Sequence, residues 1–197
     1  MYKYETHLHT SPVSACAGAG VRECMEYYKS LGYDGIFITN HFLDGNIRVD
    51  HSLPYEEKIN FYFSDYERAL SISDEYGIKV FCGVELAYMM ASGALVIQAH
   101  PYREAGYIEY IRLFPRSVHG IEVINSSCSE LQNKMAKIYA ENYNLLEFAG
   151  SDNHHGKKRN NLAGMCSDEP IQSEADFVEK VKNGMMQTFF SHILSRH

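Results

Sequence analysis

Seven short apolar runs, separated by segments of different character, constrain the fold of this chain more than any other feature. They lie at Tyr2–His7, Gly35–Thr39, Ile78–Glu85, Ala94–Ala99, Gly120–Ile124, Leu145–Ala149 and Met186–Ser191. Several are apolar almost throughout, as expected of parallel strands that are covered on both faces. The runs alternate with helical patterns through most of the chain. This alternation predicts an α/β fold with a barrel-like arrangement of seven strands.

The segments between the runs carry helix signals. Apolar residues recur at helical spacing over Val21–Leu31, and Gly32 stands where a C-terminal cap belongs. The segments Ser64–Glu67 and Ser127–Glu130 both fit a capping box and predict two further helix starts. Ser173 predicts the start of a last helix.

One connection does not suit a simple parallel barrel. Only residues 86–93 separate the third and fourth runs, whereas a parallel crossover usually needs a dozen or more residues. Three interpretations stay open. The two strands are antiparallel, or they are not neighbours, or a segment is missing or shortened at this point.

Length and composition narrow the class of protein. The 197 residues suit one domain over 1–197, and no stretch approaches the ~20 apolar residues of a membrane span. We expect a cytoplasmic protein, because the N-terminus lacks the apolar core of a signal peptide and five irregularly spaced cysteines do not form a disulfide framework. A net charge of −7 argues against binding to duplex nucleic acid. A small anionic substrate drawn to bound cations stays possible, and oligomeric state is open.

Residue types that bind metal ions follow five of the predicted strands. They are His7, His9, His41, Glu85, His100, Asp152 and His154. The carboxyl ends of parallel strands in a closed sheet share one face, so ligands that are scattered along the chain converge there. Any one of these histidines alone is better explained as a structural residue. Together they predict a polynuclear metal site.

The motifs around these residues resemble those of a known superfamily. In order along the chain they are His7-Leu-His-Thr, Gly35-Ile-Phe-Ile-Thr-Asn-His, Gly83-Val-Glu, Ala99-His-Pro and Gly150-Ser-Asp-Asn-His. This set resembles the successive motifs of the PHP (polymerase and histidinol phosphatase) superfamily and covers essentially the whole chain. The resemblance implies a distorted (β/α)7 TIM-like barrel of the PHP type. It also implies two or three divalent metal ions, usually zinc, manganese or iron, and in most members a phosphoesterase activity.

The resemblance also assigns ligands. It implies a first metal on His7, His9, Glu85 and Asp152, a second on Glu85 and His100, and a third on His41 and His154, with Glu85 as the bridge. The chain departs from the superfamily pattern in three places. Cys16 is the only possible ligand in the segment after His9, a further histidine is missing before His100, and Asn40 replaces the usual aspartate. The departures leave the occupancy of the second and third sites open, and for Cys16 itself a packing role is favoured.

The chemistry that follows is hydrolysis of a phosphate ester by a metal-activated water held by Glu85, Asp152 and His154. The predicted substrate-binding residues are Arg103, Lys157, Arg159 and His155, and the predicted substrate is a small phosphorylated metabolite such as histidinol phosphate or a nucleotide. Two alternatives stay open. One is an amidohydrolase-type metal hydrolase, and the other is a non-catalytic metal-binding scaffold. The identities of the substrate and the metal are beyond the sequence.

Overall fold

The structure is a computed structural model that describes residues 1–43, 45–85, 94–158 and 160–192. In these residues the strands are β1 (Tyr2–Leu8), β2 (Gly35–Ile38), β3 (Lys79–Cys82), β4 (Ile97–Gln98), β5 (Gly120–Asn125), β6 (Leu146–Gly150), β7 (Asn161–Ser167) and β8 (Gln187–His192). The helices are α1 (Val21–Ser30), α2 (Tyr55–Ser71), α3 (Ser73–Tyr76), α4 (Glu130–Tyr143) and α5 (Glu174–Lys182), with a 3₁₀ turn at Gly156–Lys158.

The strands form two sheets. The larger is mixed, with the order β3-β2-β1-β7-β8, in which β1, β2 and β3 are parallel and β7 and β8 are antiparallel to their neighbours. The smaller is parallel, with the order β4-β5-β6. Wherever two of the six strands β1 to β6 pair with each other, they are therefore parallel.

The predicted (β/α)7 TIM-like barrel is wrong. No closed barrel forms in the described residues, because β3 is an edge strand of the larger sheet and β4 belongs to the smaller one. Of the interpretations left open for the short connection, the structure favours strands that are not neighbours. The connection itself, residues 86–93, lies outside the described residues. The seven-strand pattern also missed β7, whose antiparallel pairing with β1 breaks the parallel order.

The two sheets still meet on one side. A single parallel bridge joins Leu8 at the end of β1 to Asn153, just beyond β6. The backbone N–H of His9 donates to the carbonyl of Asn153 at 3.3 Å, and that of Asn153 donates to the carbonyl of His7 at 3.4 Å. This bridge brings the carboxyl ends of both groups of parallel strands to one place.

Three of the predicted helices are confirmed, although α4 begins two residues later than predicted. Helix α1 buries Val21, Cys24, Met25 and Tyr28, as its spacing predicts. Helix α4 begins with a capping box, but its cap is Ser129, whose side chain accepts from the N–H of Gln132 at 3.3 Å. Helix α5 begins after Ser173 as predicted.

The predicted helix start at Ser64 is wrong, because α2 already begins at Tyr55 after Pro54. Inside the helix, the hydroxyl of Ser64 donates to the carbonyl of Phe61 at 2.7 Å. The next residue, Asp65, is fully buried and accepts from the hydroxyl of Thr10 at 2.9 Å. Helix α2 thus anchors the loop that follows β1. None of the described helices combines the length and apolar character needed to cross a membrane.

Candidate metal centre

All seven predicted ligands lie together at the carboxyl ends of the parallel strands. His7 and His9 come from the end of β1, and His41 and Glu85 from just beyond β2 and β3, where they form a parallel bridge. His100 follows β4, and Asp152 and His154 follow β6. The seven residues therefore come together because the parallel strands end at a common edge, and a closed barrel is not required.

Glu85 lies at the middle of the cluster. Its Oε2 is 3.1 Å from Nε2 of His9 and 3.1 Å from Nδ1 of His41, and it is 3.6 Å from Nε2 of His7. Its other oxygen, Oε1, is 3.7 Å from Nε2 of His100. One carboxylate thus faces four imidazoles, two of them through a single oxygen at the same distance.

The surroundings of Glu85 favour the binding of a cation. Within the described residues, its Oε2 is buried without a hydrogen-bond partner despite the close imidazole nitrogens. Burial raises the pKa of this carboxyl, but the imidazoles of His100, His7 and His9 outweigh burial and hold the pKa well below its usual range. A buried anion of this kind is costly unless it is paired or coordinates a metal. The residues present therefore fit a divalent metal ion.

Asp152 presents its two oxygens to different neighbours. Oδ1 lies 3.6 Å from Nε2 of His7 and 3.5 Å from Nε2 of His9, whereas Oδ2 accepts a hydrogen bond from the guanidinium of Arg103. Burial raises the pKa of Asp152, but the charge of His7 and a hydrogen bond from His9 outweigh it and hold the pKa well below its usual range.

Two of the predicted ligands have unusual backbones. Asp152 has φ of 51° and His100 has φ of 27°, in the left-handed region that non-glycine residues seldom adopt. Such conformations persist where the surrounding structure requires them, and they concentrate at functional sites. The side chains of both residues lie in the cluster, where Nε2 of His100 is 3.9 Å from Oδ2 of Asp152.

Several imidazoles of the cluster are oriented by a polar partner on Nδ1. Nδ1 of His7 is 2.9 Å from Oε1 of Glu122, and Nδ1 of His9 is 3.3 Å from the hydroxyl of Ser14. Nδ1 of His154 is 3.0 Å from the carbonyl of Asp152. A partner on one ring nitrogen fixes the tautomer and leaves the other nitrogen free to bind a metal.

Glu122 is the residue that sequence reasoning missed. It is buried in β5, where it contacts His7, accepts from the backbone N–H of His100 at 2.9 Å and accepts from the amide of Asn125 at 2.8 Å. The sequence signal was an acidic residue inside the apolar run Gly120–Ile124. Burial raises the pKa of Glu122, but the charge and hydrogen bond of His7 outweigh it and lower the pKa.

A second supporting network lies under the loop after β1. Asn40 accepts from the backbone N–H of Thr10 at 2.7 Å and from the hydroxyl of Ser14 at 2.8 Å. The hydroxyl of Ser14 in turn accepts from the backbone N–H of His41 at 3.2 Å. Asn40, which departs from the superfamily pattern, therefore links the loop after β1 to the segment that carries His41.

The donor atoms form three overlapping groups, in each of which all donor atoms lie within 4.8 Å of one another. The groups are His7, His9 and Asp152; His7, Glu85 and His100; and His9, Cys16, His41 and His154. The first group contains the predicted first site without Glu85, and the second contains the predicted pair of Glu85 and His100 with His7 added. The third contains the predicted pair of His41 and His154 and adds His9 and Cys16. The role of these residues as ligands stays a prediction.

Burial lowers the pKa of His41, and it lowers the pKa of His154 to about 4, with His9 adding a like-charge effect at both. Both imidazoles are neutral at pH 7, which is the form that binds metal. Burial also raises the pKa of the Cys16 thiol, which is therefore protonated in the metal-free protein.

The predicted substrate-binding residues lie in different environments. Arg103 is half-buried and reaches the cluster through Asp152. Lys157 and His155 are exposed at the rim, beyond His154. Arg159 lies outside the described residues. Arg103 forms an ion pair with the predicted ligand Asp152, and the ring of His155 lies 6.4 Å from that of His154.

A family model described as PHP-associated matches residues 130–186 of the chain. This region contains α4, β6, the segment with Asp152 and His154, and β7 and α5. A comparison with curated protein sequences finds no significant match.

Solved structures share the fold. A two-domain protein from Bacteroides vulgatus, described as containing a predicted PHP-like metal-dependent phosphoesterase, matches 95% of this chain at a TM-score of 0.68 and 15% identity. The chain spans 64% of the length of that protein. PsfC from Pseudomonas syringae matches 99% of the chain and 92% of its own length, at a TM-score of 0.60 and 14% identity.

A third solved structure comes from Bifidobacterium adolescentis and is assigned by prediction as a metal-dependent phosphoesterase. It matches 89% of this chain and 94% of its own length, at a TM-score of 0.55 and 12% identity. At these identities the likeness concerns the fold. The arrangement of two sheets with convergent strand ends is thus one that known proteins adopt.

Proposed function

We propose that the chain is a protein of the PHP superfamily and a metal-dependent phosphoesterase that hydrolyses the phosphate ester of a small molecule. The observation that carries this proposal is the unpartnered, buried Oε2 of Glu85 among imidazole nitrogens. Two of the solved structures with this fold are described by prediction as metal-dependent phosphoesterases, which agrees with it.

The geometry supports a set of ligand roles. His7, His9 and Asp152 would hold one ion, Glu85 and His100 a second, and His41 and His154 a third, with Glu85 in reach of all three sets. When bound, divalent ions at these positions supply an activated water at neutral pH and neutralise charge on phosphate oxygens. No side chain of the cluster has to act as a covalent nucleophile.

Arg103 suits the binding of a phosphate group. A guanidinium has five N–H donors, and only Nη1 donates to Asp152 in the described contact. Because Asp152 engages Arg103 through Oδ2 and faces His7 and His9 through Oδ1, one carboxylate can orient the arginine and bind a metal. We assign the remaining donors of Arg103 to the phosphate of the substrate.

Lys157 and His155 are weaker candidates for substrate binding. Both are exposed, so they can contact a substrate only where it extends past the cluster towards the 3₁₀ turn. We propose that these residues contribute to the choice of substrate and not to the chemical step.

The test is a substrate panel on metal-loaded protein, comprising p-nitrophenyl phosphate, histidinol phosphate, nucleoside monophosphates and a matched set of lactones and amides. We expect turnover of phosphate esters alone, and its loss in His9→Ala and Asp152→Asn together with a lower metal content. His155→Ala, an exposed neighbour of the cluster, is the control and should keep its metals.

Other outcomes would reject the proposal. Turnover of lactones or amides without phosphate esters would identify an amidohydrolase-type enzyme. Bound metals without turnover of any substrate in the panel would favour the metal-binding scaffold.

A further inference from the structure

We propose that Cys16 is a metal ligand and that, with His41 and His154, it forms a thiolate site that prefers zinc or ferrous iron to manganese or magnesium. This inference rests on the metal-binding part of the proposed function and specifies the chemistry of one of its sites. It reverses the packing role that the sequence favours for Cys16.

The position of the thiol carries the inference. The donor atoms of His9, Cys16, His41 and His154 all lie within 4.8 Å of one another. Cys16 is half-buried, and Nδ1 of His41 is 3.1 Å from the buried, unpartnered oxygen of Glu85. The thiol therefore belongs to a group of donors that includes His41, the neighbour of this unpartnered oxygen.

The number of ligands favours Cys16 as a member of the set. One imidazole nitrogen binds one metal ion, and Nε2 of His9 faces Asp152 and His7 at 3.5 and 3.2 Å. If His9 serves the first site, His41 and His154 alone remain for the third. Cys16 supplies the third protein ligand, which is the usual number for a zinc site that keeps one position open.

The backbone around Cys16 is held in place before any metal binds. The N–H of Ala15 donates to the carbonyl of Asn46 at 2.8 Å, and the N–H of Gly18 donates to the carbonyl of His154 at 2.8 Å. The second bond ties the cysteine loop directly to another member of the set. Little backbone entropy is then lost when the thiol binds a metal.

The other cysteines lack such surroundings. In the part of the chain that the structure describes, Cys24, Cys82, Cys128 and Cys166 belong to no group of potential ligands. The association with imidazoles is thus particular to Cys16.

The chemistry of a thiolate determines the metal preference. On binding, the S–H bond is replaced by a sulfur–metal bond and the proton goes to solvent, with no change of oxidation state. Thiolate ligands suit zinc and other softer ions, whereas magnesium and manganese suit carboxylate, carbonyl and water oxygens. A site with one sulfur and two imidazoles should therefore discriminate against manganese.

Cobalt(II) substitution tests the sulfur bond directly. We would titrate the metal-free full chain with cobalt and record the near-ultraviolet charge-transfer absorption that a thiolate–cobalt bond produces. The band is expected in the wild type and in Cys82→Ala, a control with a similarly half-buried cysteine, and should be absent in Cys16→Ala and Cys16→Asp. Competition titrations should show zinc affinity of this site lowered by at least ~10-fold in Cys16→Ala. In Cys16→Asp the preference should move towards manganese.

A band that persists in Cys16→Ala, or cobalt bound by the wild type without any such band, would overturn the inference. Failure of the proposed function gives a different result. A Cys16-dependent band without hydrolysis of any phosphate ester would support the thiolate site and reject the phosphoesterase. Absence of metal binding would reject both.

Discussion

The buried carboxylate of Glu122 lies 2.9 Å from Nδ1 of His7, on the side of the ring that faces away from the ligand cluster. The same residue accepts from the backbone N–H of His100 through its other oxygen, so one glutamate supports both the first and the second proposed sites. Outer partners of this kind fix the orientation of a metal-binding imidazole and raise its basicity.

Replacing Glu122 by glutamine should weaken metal binding without removing a ligand. The amide keeps the shape of the side chain but loses the charge opposite His7, so we expect metal affinity to fall by ~10- to 100-fold. Metal titration with a competing chelator measures the change. The control is Glu179→Gln on an exposed position of α5. Equal affinities in the two variants would reject a supporting role for Glu122.

Arg103→Ala should lower kcat/KM for phosphate esters by ~10- to 100-fold, the equivalent of the ~1.5–3 kcal/mol of a hydrogen bond to a charged group. Arg103→Lys should lie between Arg103→Ala and the wild type, because an ammonium keeps the charge but not the planar pair of donors. Steady-state kinetics with p-nitrophenyl phosphate gives the values.

A metal content that stays at the wild-type level would separate loss of phosphate binding from disturbance of Asp152, the partner of Arg103. Arg116→Ala at an exposed position serves as the control. An unchanged kcat/KM in Arg103→Ala would show that Arg103 does not bind the phosphate and has only a structural role.

Gly150, at the end of β6, has no room for a side chain. A Cβ at this position would lie 2.5 Å from Cβ of His7 and 2.6 Å from Oε1 of Glu122. Gly150→Ala should therefore displace this pair, destabilise the fold by ~1–3 kcal/mol and weaken metal binding. Thermal unfolding with and without metal measures both effects.

Gly106→Ala is the matched control, because a Cβ there meets nothing within 4 Å. It should leave the unfolding temperature and the metal affinity unchanged. A Gly150→Ala variant that also behaves like the wild type would show that the close packing of His7 against Glu122 is not needed.

Metal binding should release a proton from His7. Burial lowers the pKa of this imidazole, but the charges of Glu122 and Asp152 outweigh it and raise the pKa well above its usual value. The metal-free protein thus carries a protonated His7 at neutral pH, and affinity should rise with pH until that proton is lost. His154, with a pKa lowered to about 4, is already neutral and releases none.

Isothermal titration calorimetry in two buffers of different ionisation enthalpy measures this release. Other groups also release protons, so the contribution of His7 is the part that is lost in Glu122→Gln. Identical proton release by the wild type and Glu122→Gln would contradict the raised pKa of His7.

The convergence of the ligands follows from a local property that the sequence displays. Each of the seven residues lies at or just beyond the end of an apolar run, and parallel strand ends come together in any sheet that keeps the strands parallel. The sequence could not predict how the strands are distributed between sheets. The expected barrel was wrong because β3 and β4 pair with different partners.

Strand β7 shows where local patterns fail. Its sequence, Asn-Leu-Ala-Gly-Met-Cys-Ser, contains no β-branched or aromatic residue, so nothing local distinguishes it from a turn of buried helix. The structure explains why position 164 is a glycine, because a Cβ there would lie 2.2 Å from the carbonyl oxygen of Tyr4 on β1. The need for that glycine becomes visible only when the two strands are paired.

Helix α2 was misplaced for a different reason. The Ser64-Asp-Tyr-Glu sequence fits a capping box, yet the acidic Glu56 and Glu57 after Pro54 already indicate a helix start. The buried Asp65 was equally hidden, since its partner Thr10 is 55 residues away in the chain. Long-range polar contacts of this kind cannot be predicted from spacing.

The most direct test of the account is the metal content of untagged protein by elemental analysis, paired with p-nitrophenyl phosphate turnover before and after chelation. We predict two or three divalent ions per chain, in accordance with the three overlapping donor groups, and turnover that is lost on chelation and restored by zinc, iron or manganese. One ion or none, with no turnover after metal is added back, would contradict the account.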